Sequence, residues 1–250
     1  ERLAQRALQV TVVSRAPDPA AQQKQQENVS LVQGDLRDAT TVAAAISGAG
    51  GVVNAVGHYV EKGSATFEAI HVEGAGALAA ACRKQGVERL VHLSGIGADA
   101  AARSAYVRAR GRGDAAGRAA FSEAAILQPS VMFGKDDAFL NTLLSLVRRA
   151  PAIPLFGRGQ TLLQPVFVED VAEAVARLLT REAPPAVHYT LGGPQVYSYR
   201  QILELIMKFS GHRRLLVPVP FAVWDALALA AGILPSPPLS EGQVALMKHD

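Results

Sequence analysis

The sequence predicts an α/β protein built on a doubly wound parallel sheet, and two observations predict it. Short apolar runs without polar alternation recur through the first half of the chain, as expected of strands covered on both faces. Helical patterns separate these runs, so strand and helix alternate as in βαβ units. A chain of 250 residues is long enough to bury one large core, or a core with a small appendage.

The elements run in order along the chain. Glu1 to Leu8 reads as part of a helix, and Val10 to Val13 is the first strand. Ser30 to Val32, Gly51 to Val56, Leu90 to Leu93 and Ala125 to Leu127 are the next four strands. Between them the pattern predicts helices over Thr40 to Ile46, Ala65 to Gln85 and Ala105 to Phe121, with Gly86 as a C-terminal stop. After Gly134 the texture changes. Asp136 to Arg149 is an amphipathic helix with Phe139, Leu140, Leu143, Leu144 and Val147 on one face, ended by Pro151-Ala152-Ile153-Pro154. Leu163 to Val168 reads as a strand, Asp170 to Leu179 as a helix, and the tail from Tyr197 as helical with proline breaks. This divides the chain into a core over residues 1–134 and a smaller lobe over residues 135–250, interleaved with that core.

Composition narrows the function classes. A single cysteine, Cys82, excludes an internal disulfide framework and favours a reducing compartment. A net charge of +3 and a pI near 9.2 are too mildly basic to imply nucleic acid, and the arginines lack interleaved aromatics. With 49% apolar residues and a mean hydropathy of +0.15 the chain is globular. No stretch reaches the roughly 18–20 apolar residues that span a bilayer. The nearest, Phe221 to Leu234, carries Asp225 and stops at a proline cluster. With Trp224 among small aliphatics, it fits a helix packed on the domain or one lying at a partner or membrane surface.

Ligands of a doubly wound sheet bind outside the carboxyl ends of its strands, so the residues just past each strand carry the information. Ser14 and Arg15 come after the first strand. An arginine here, where an acid would hold a ribose 2′-hydroxyl, points to NADP(H) over NAD(H). Gly34-Asp35-Leu36 comes after the second strand, with Asp35 able to meet an adenine amino group or to cap a helix. The third strand ends in Asn54-Ala55-Val56-Gly57, where Gly57 permits close backbone approach to a cofactor. Ser94 stands at the tip of the fourth strand, twelve positions before Tyr106, and Arg110 lies one helical turn beyond Tyr106. A fixed cation there is expected to lower the phenol pKa and make Tyr106 a usable acid/base, although an arginine cannot itself relay protons. Ser94, Tyr106 and Arg110 are therefore the candidate catalytic set. His92 is read as sheet lining, and His71 and Glu73 as too far apart around a helix to share a metal; no metal is expected. His58-Tyr59 fits a pocket edge or a loop. No glycine-rich phosphate loop precedes Val10. The first strand and loop of the fold are therefore expected to be missing from this chain.

The assembled motifs resemble the atypical short-chain dehydrogenase/reductases. Within them they are similar to the NADPH-binding accessory subunit family of respiratory complex I, the alpha-subcomplex subunit 9 family, and its bacterial relatives. The residues that carry this are Val52 to Gly57, Val87 to Ser94, Gln128 to Gly134, Phe139-Leu140-Asn141, Gln164 to Ala172 and Leu191 to Pro194. The resemblance implies a Rossmann-like fold holding NADPH, with Pro129, Ser130 and Val131 beside the nicotinamide. It also implies a structural role docked on complex I or a membrane surface. The location implied is cytoplasmic, peripheral at the inner face of the cytoplasmic membrane, or on the matrix side in a eukaryote. The family pattern has lysine where this chain has Arg110, which separates binding from turnover. The alternative is an NADPH-dependent reductase or epimerase-like enzyme acting on a small carbonyl or quinone through Tyr106.

Overall fold

A computed structural model describes residues 2–17, 27–180, 187–231 and 241–248. Its centre is a four-stranded parallel sheet. The strands are β3 (Gly51–Asn54), β4 (Arg89–Leu93), β5 (Ala125–Pro129) and β10 (His188–Leu191), in the spatial order β10-β5-β4-β3. Its inner strands β4 and β5 are buried almost throughout, as their continuous apolar runs require. Strand β10, from late in the chain, joins beside β5 in register His188 to Ile126.

A separate parallel pair comprises β1 (Val10–Ser14) and β2 (Val29–Gln33). Among the described residues no ladder hydrogen bonds join β1 to β3. Strand β1 leaves Val12 and Val13 about two-fifths exposed (40% and 41%), an unusual state for a β-branched pair in a parallel strand.

Helices cover the sheet. α1 (Arg2–Gln5) is tied by Arg2–Glu169 and Arg6–Glu173 ion pairs to the later helix α6 (Val168–Thr180). α2 (Ala39–Ala45) starts at Asp38, whose carboxylate accepts from the backbone N–H of Thr40 and Thr41. A π-helical segment, Glu68–Glu73, runs directly into α3 (Gly74–Lys84), and α4 (Ala105–Ala120) packs across both. Val42, Leu78, Cys82, Leu90 and Phe121 form the core on one face of the sheet. Val91, Leu127, Val166, Val171 and Val175 form the other.

The close approach of α4 explains its interior glycines Gly111 and Gly113, each of which would cost about 1 kcal/mol against alanine in an open helix. A Cβ on Gly113 would stand 2.0 Å from the His71 carbonyl oxygen, and one on Gly111 would meet the Asp99 backbone at 2.4 Å. Gly113→Ala is therefore expected to destabilise by about 2–3 kcal/mol, because backbone must move. A thermal melt checks this: a drop of several degrees is expected, and an unchanged midpoint would contradict the packing.

The second half holds its own core of Leu143, Val147, Ile153, Leu155, Tyr199, Ile202 and Leu203. It contains α5 (Ala138–Arg149) and α7 (Tyr199–Ser210), α8 (Phe221–Ala231) and α9 (Glu241–Leu246), with short pairs β6 (Met132–Phe133) on β9 (Val166–Phe167), β8 (Leu162–Leu163) on β11 (Tyr197–Ser198), and β7 (Ala152–Phe156) on β12 (Leu215–Val219). Two expectations are corrected here. The strand predicted over Leu163 to Val168 breaks at Gln164-Pro165, because Pro165 has no N–H for a ladder. The proline segment after α5 is strand β7, and part of the supposedly helical tail is its partner β12; a two-stranded edge tolerates Pro154 and Pro218. Trp224 follows one of the two readings of its segment, a helix packed on the domain: its Nε1–H donates to the Leu155 carbonyl at 2.9 Å and its ring lies 4.4 Å from that of Phe156. The outward apolar residues of α8 are Val223, Leu227 and Leu229. No described helix is long and apolar enough to cross a membrane.

Candidate functional site

The carboxyl ends of β1, β2 and β3 bring Asp35 and His58 within electrostatic reach of Arg15. Arg15 comes after β1, its carbonyl accepting from Gln33 Nε2 at 3.2 Å, while Ser14 Oγ accepts from the Ala16 N–H. The Arg15 charge is felt by Asp35 and by His58, and no described carboxylate pairs with it. Asp35 is already ion-paired. Arg37 grips it with Nε at 2.9 Å and Nη2 at 2.6 Å, which holds its carboxyl at about 2. The same guanidinium donates to Ser64 Oγ at 2.8 Å, bridging the turns after β2 and β3. Leu36 turns its side chain into the core against Gly74, so only its backbone remains for a ligand.

At the tip of β3, Asn54 is buried. Its Oδ1 accepts from the Val56 N–H at 3.1 Å, which fixes the amide so that Nδ2 donates to His92 Nδ1 at 3.0 Å. The neutral His92 ring then carries its proton on Nε2, facing Asp114. Gly57 leaves little open space, since a Cβ there would lie 3.3 Å from the His71 ring. Beyond it, His58, Phe67, His71, Tyr59 and Tyr106 form an aromatic cluster with ring centroids 5.2–6.2 Å apart. His58 Nε2 is buried there without a hydrogen-bond partner among the described residues. Burial, with the charge of Arg15, holds the His58 pKa below its ordinary value.

Tyr106 lies on the first turn of α4 and is 3% exposed. Arg110 Nη1 donates to its hydroxyl at 2.5 Å, one turn away as the spacing predicted. The expected lowering of the phenol pKa is not what results. Burial pushes Tyr106 up to about 12, and the opposing charge of Arg110 offsets only part of that. Tyr106 therefore keeps its proton at neutral pH. The Arg110 guanidinium also rests on Gly95, where a Cβ would meet Nη2 at 3.0 Å, beside Ser94.

Ser94 is buried, and its hydroxyl donates to Asp114 Oδ2 at 2.9 Å. Gln128 Nε2 donates to the same oxygen at 3.1 Å. Asp114 Oδ1 stands 3.4 Å from His92 Nε2, too loose for a good hydrogen bond, and finds no closer partner among the described residues. Burial raises the Asp114 pKa, but the contacts from His92, Ser94 and Gln128 outweigh it and hold the carboxyl below its ordinary value. Asp114 was missed by sequence reasoning, although it lies eight positions beyond Tyr106 and so on nearly the same helix face. His92 is sheet lining, as read, but it also joins this network. No hydrogen bond links Ser94 to Tyr106 or Arg110 among the described residues. Pro129, Ser130 and Val131 at the end of β5 have their backbones pinned. Pro129 O accepts from Ile96 N, Ser130 N donates to Leu191 O, and Val131 O accepts from Val166 N. Among the described residues no three His, Cys, Asp or Glu side chains converge as a metal site would require.

Comparison with known proteins shows which family the chain resembles. Residues 1–138 match the family model described as NAD(P)H-binding. The mitochondrial NADH dehydrogenase [ubiquinone] 1 alpha subcomplex subunit 9 of Mus musculus is 30% identical over 213 residues, 84% of this chain and 56% of that protein. The Arabidopsis thaliana protein of the same name is 31% identical over 196 residues, 78% of this chain and 49% of its own length. The chain thus spans about half the length of these relatives. Among solved structures, the Bordetella bronchiseptica enzyme WbmG in complex with NAD aligns with a TM-score of 0.72 at 14% identity, over 88% of this chain and 76% of that one. MoeE5 in complex with UDP-glucose and NAD aligns at 0.71 and 18%, over 86% and 78%. These two likenesses carry the fold. With its parallel sheet and the matched family over residues 1–138, the chain belongs to the NAD(P)H-binding family, has a Rossmann fold and is similar to complex I alpha-subcomplex subunit 9.

Proposed function

We propose that this chain holds NADP(H) as a structural cofactor and serves as an accessory or assembly subunit of the complex I type. The observation that carries the cofactor reading is Arg15 at the tip of β1, beside an Asp35 already neutralised by Arg37. A site with a guanidinium and no available acid suits a ribose 2′-phosphate better than a 2′-hydroxyl. The residues at hand fit the adenosine and nicotinamide halves, whereas a pyrophosphate loop is not among them. In this reading Ser14 and Arg15 hold the ribose phosphate, while Asp35, the Leu36 backbone and Asn54 to Gly57 border the adenosine half. Ser94, Tyr106, Arg110 and Pro129 to Val131 border the nicotinamide half. A bound nicotinamide would supply hydride chemistry at that end. Residues 1–134 form the cofactor-holding core and residues 135–250 the smaller interleaved lobe.

Three features favour holding over turnover. Arg110 stands where the family has a proton-relaying lysine, the Ser94 hydroxyl is committed to Asp114, and Tyr106 lies near 12. The exposed Val223, Leu227 and Leu229 of α8 offer a docking face for complex I or the adjoining membrane surface. The relatives named as mitochondrial complex I subunits support a peripheral position on the matrix side, or its bacterial equivalent. Mass analysis of nucleotide released from denatured protein tests the holding role. NADP(H) in near-equal molar amount is expected, and protein free of dinucleotide that also fails to take up NADPH would contradict it.

A reductase is the second reading. Its support is a 25% identity over 206 residues to the protein named ceramide reductase of Caulobacter vibrioides, covering 82% of this chain and 63% of that protein. Here Tyr106, protonated at neutral pH, would donate the proton to a carbonyl or quinone oxygen. Tyr106→Phe separates the two readings. A loss of NADPH oxidation of at least a hundredfold across a carbonyl and quinone panel supports the reductase, and wild-type protein inert on that panel supports the structural role.

A further inference from the structure

Beyond Val131, at the nicotinamide end of the proposed cofactor site, α5 and α7 pack side by side and leave an apolar cavity of about 560 Å³ between them. That volume lies within the range of small-molecule sites, roughly 300–1,000 Å³. Leu140 and Leu144 of α5 and Ile202, Leu205 and Ile206 of α7 form its walls and floor. It follows both helices in the same direction, from Asp137 and Gln195 at one end to Arg148 and Phe209 at the other. At a rise of 1.5 Å per residue this is about 16 Å long. A groove of this length between two helices suits an extended chain.

The two ends differ in charge and in how far their polar groups are already satisfied. At the near end Asp137 caps α5, accepting from Leu140 N at 2.6 Å and Gly134 N at 3.3 Å. Asn141 there donates to the carbonyls of Asp137 and Lys135. The far end is basic. Arg148 lines the cavity, and its guanidinium has no hydrogen-bond or ion-pair partner among the described residues. Arg149 and Lys208 occupy the last turns of α5 and α7, and Arg214 caps α5 by donating to the carbonyls of Val147 and Arg148. Phe209, 82% exposed, flanks this mouth. The nearby acid Glu204 faces Arg200 on its own helix.

We infer that the cavity between α5 and α7 binds the acyl chain of a single-chain anionic amphiphile, such as a fatty acid, whose head pairs with Arg148. An apolar channel recovers the transfer free energy of each buried methylene, and the unpartnered guanidinium at one mouth sets the orientation and the sign of the head. This site is independent of the dinucleotide reading and shares none of its residues.

Calorimetric titration with laurate below its micelle threshold tests this, with dodecyltrimethylammonium as the chain-matched cation. Saturable one-to-one laurate binding is expected, at least tenfold tighter than the cation. Arg148→Glu, a surface change that leaves the core intact, should weaken laurate at least tenfold with an unchanged melting point. Leu144→Trp should fill the channel and abolish uptake. Absence of saturable laurate binding would overturn the assignment, as would equal binding of both amphiphiles or an indifferent Arg148→Glu. Self-association abolished by Leu144→Trp, without laurate uptake, would assign the cavity to a second copy instead and equally overturn it.

Discussion

Replacing Asp114 by alanine is expected to destabilise the protein by about 3–5 kcal/mol, the cost typical of removing one partner from a buried charged network. The change strips an acceptor from the Ser94 hydroxyl and the Gln128 amide, and removes the carboxylate facing His92 Nε2. Each buried donor left unpaired costs about 1–3 kcal/mol. Asp114→Asn keeps the volume and one acceptor, so about half that loss is expected. Chemical denaturation of the two variants checks the order. An alanine variant within about 1 kcal/mol of wild type would show that the network is not sealed from water. The Asp114 carboxyl is held below its ordinary value, so its contribution is present above the unfolded pKa near 3.9 and disappears as pH falls through the lower folded value.

The second large effect is an acid transition governed by His71. Its ring is buried against Tyr106, Phe67 and His58, and Nε2–H donates to the His58 carbonyl at 3.1 Å. Burial is the main reason its pKa falls to about 4, with the charge of Arg110 adding to it. Between pH 6.5 and 4 the unfolded chain therefore binds a proton that the folded chain refuses, so stability rises with pH over that window. Each tenfold difference in proton affinity between the two states is worth about 1.36 kcal/mol. About 2–3 kcal/mol is therefore lost on acidification from pH 6.5 to 4. His71→Gln should flatten this part of the pH–stability curve. A variant that retains the wild-type slope would assign the transition to another group.

Much of the fold was legible because parallel strands declare themselves as unbroken apolar runs. Val10 to Val13, Leu90 to Leu93 and Ala125 to Leu127 all lie within observed strands. The helix of Tyr106 was legible from its spacing, and Arg110 meets the phenol as predicted. What escaped was set by tertiary context. Pro154 and Pro218 masked a strand pair that only a two-stranded edge permits, and β10 is too short and mixed to stand out before it docks on β5. Asp114 looked like one charge on an arginine-rich helix. Only the fold turns it inward against Ser94, His92 and Gln128. The tyrosine pKa was misjudged for a related reason: sequence displays the neighbouring cation but not the depth of burial. Spacing could have suggested Asp114, since positions 106, 110 and 114 share one face.

Selection of a phosphorylated ribose by the Arg15 guanidinium is tested directly by a paired titration. Wild-type protein and Arg15→Glu are each titrated with NADPH and NADH, following nicotinamide fluorescence at fixed ionic strength. The expected result is NADPH bound at least tenfold more tightly by wild type, with the preference lost or reversed in Arg15→Glu. Equal affinities in wild type, or an NADPH preference that survives Arg15→Glu, would contradict it.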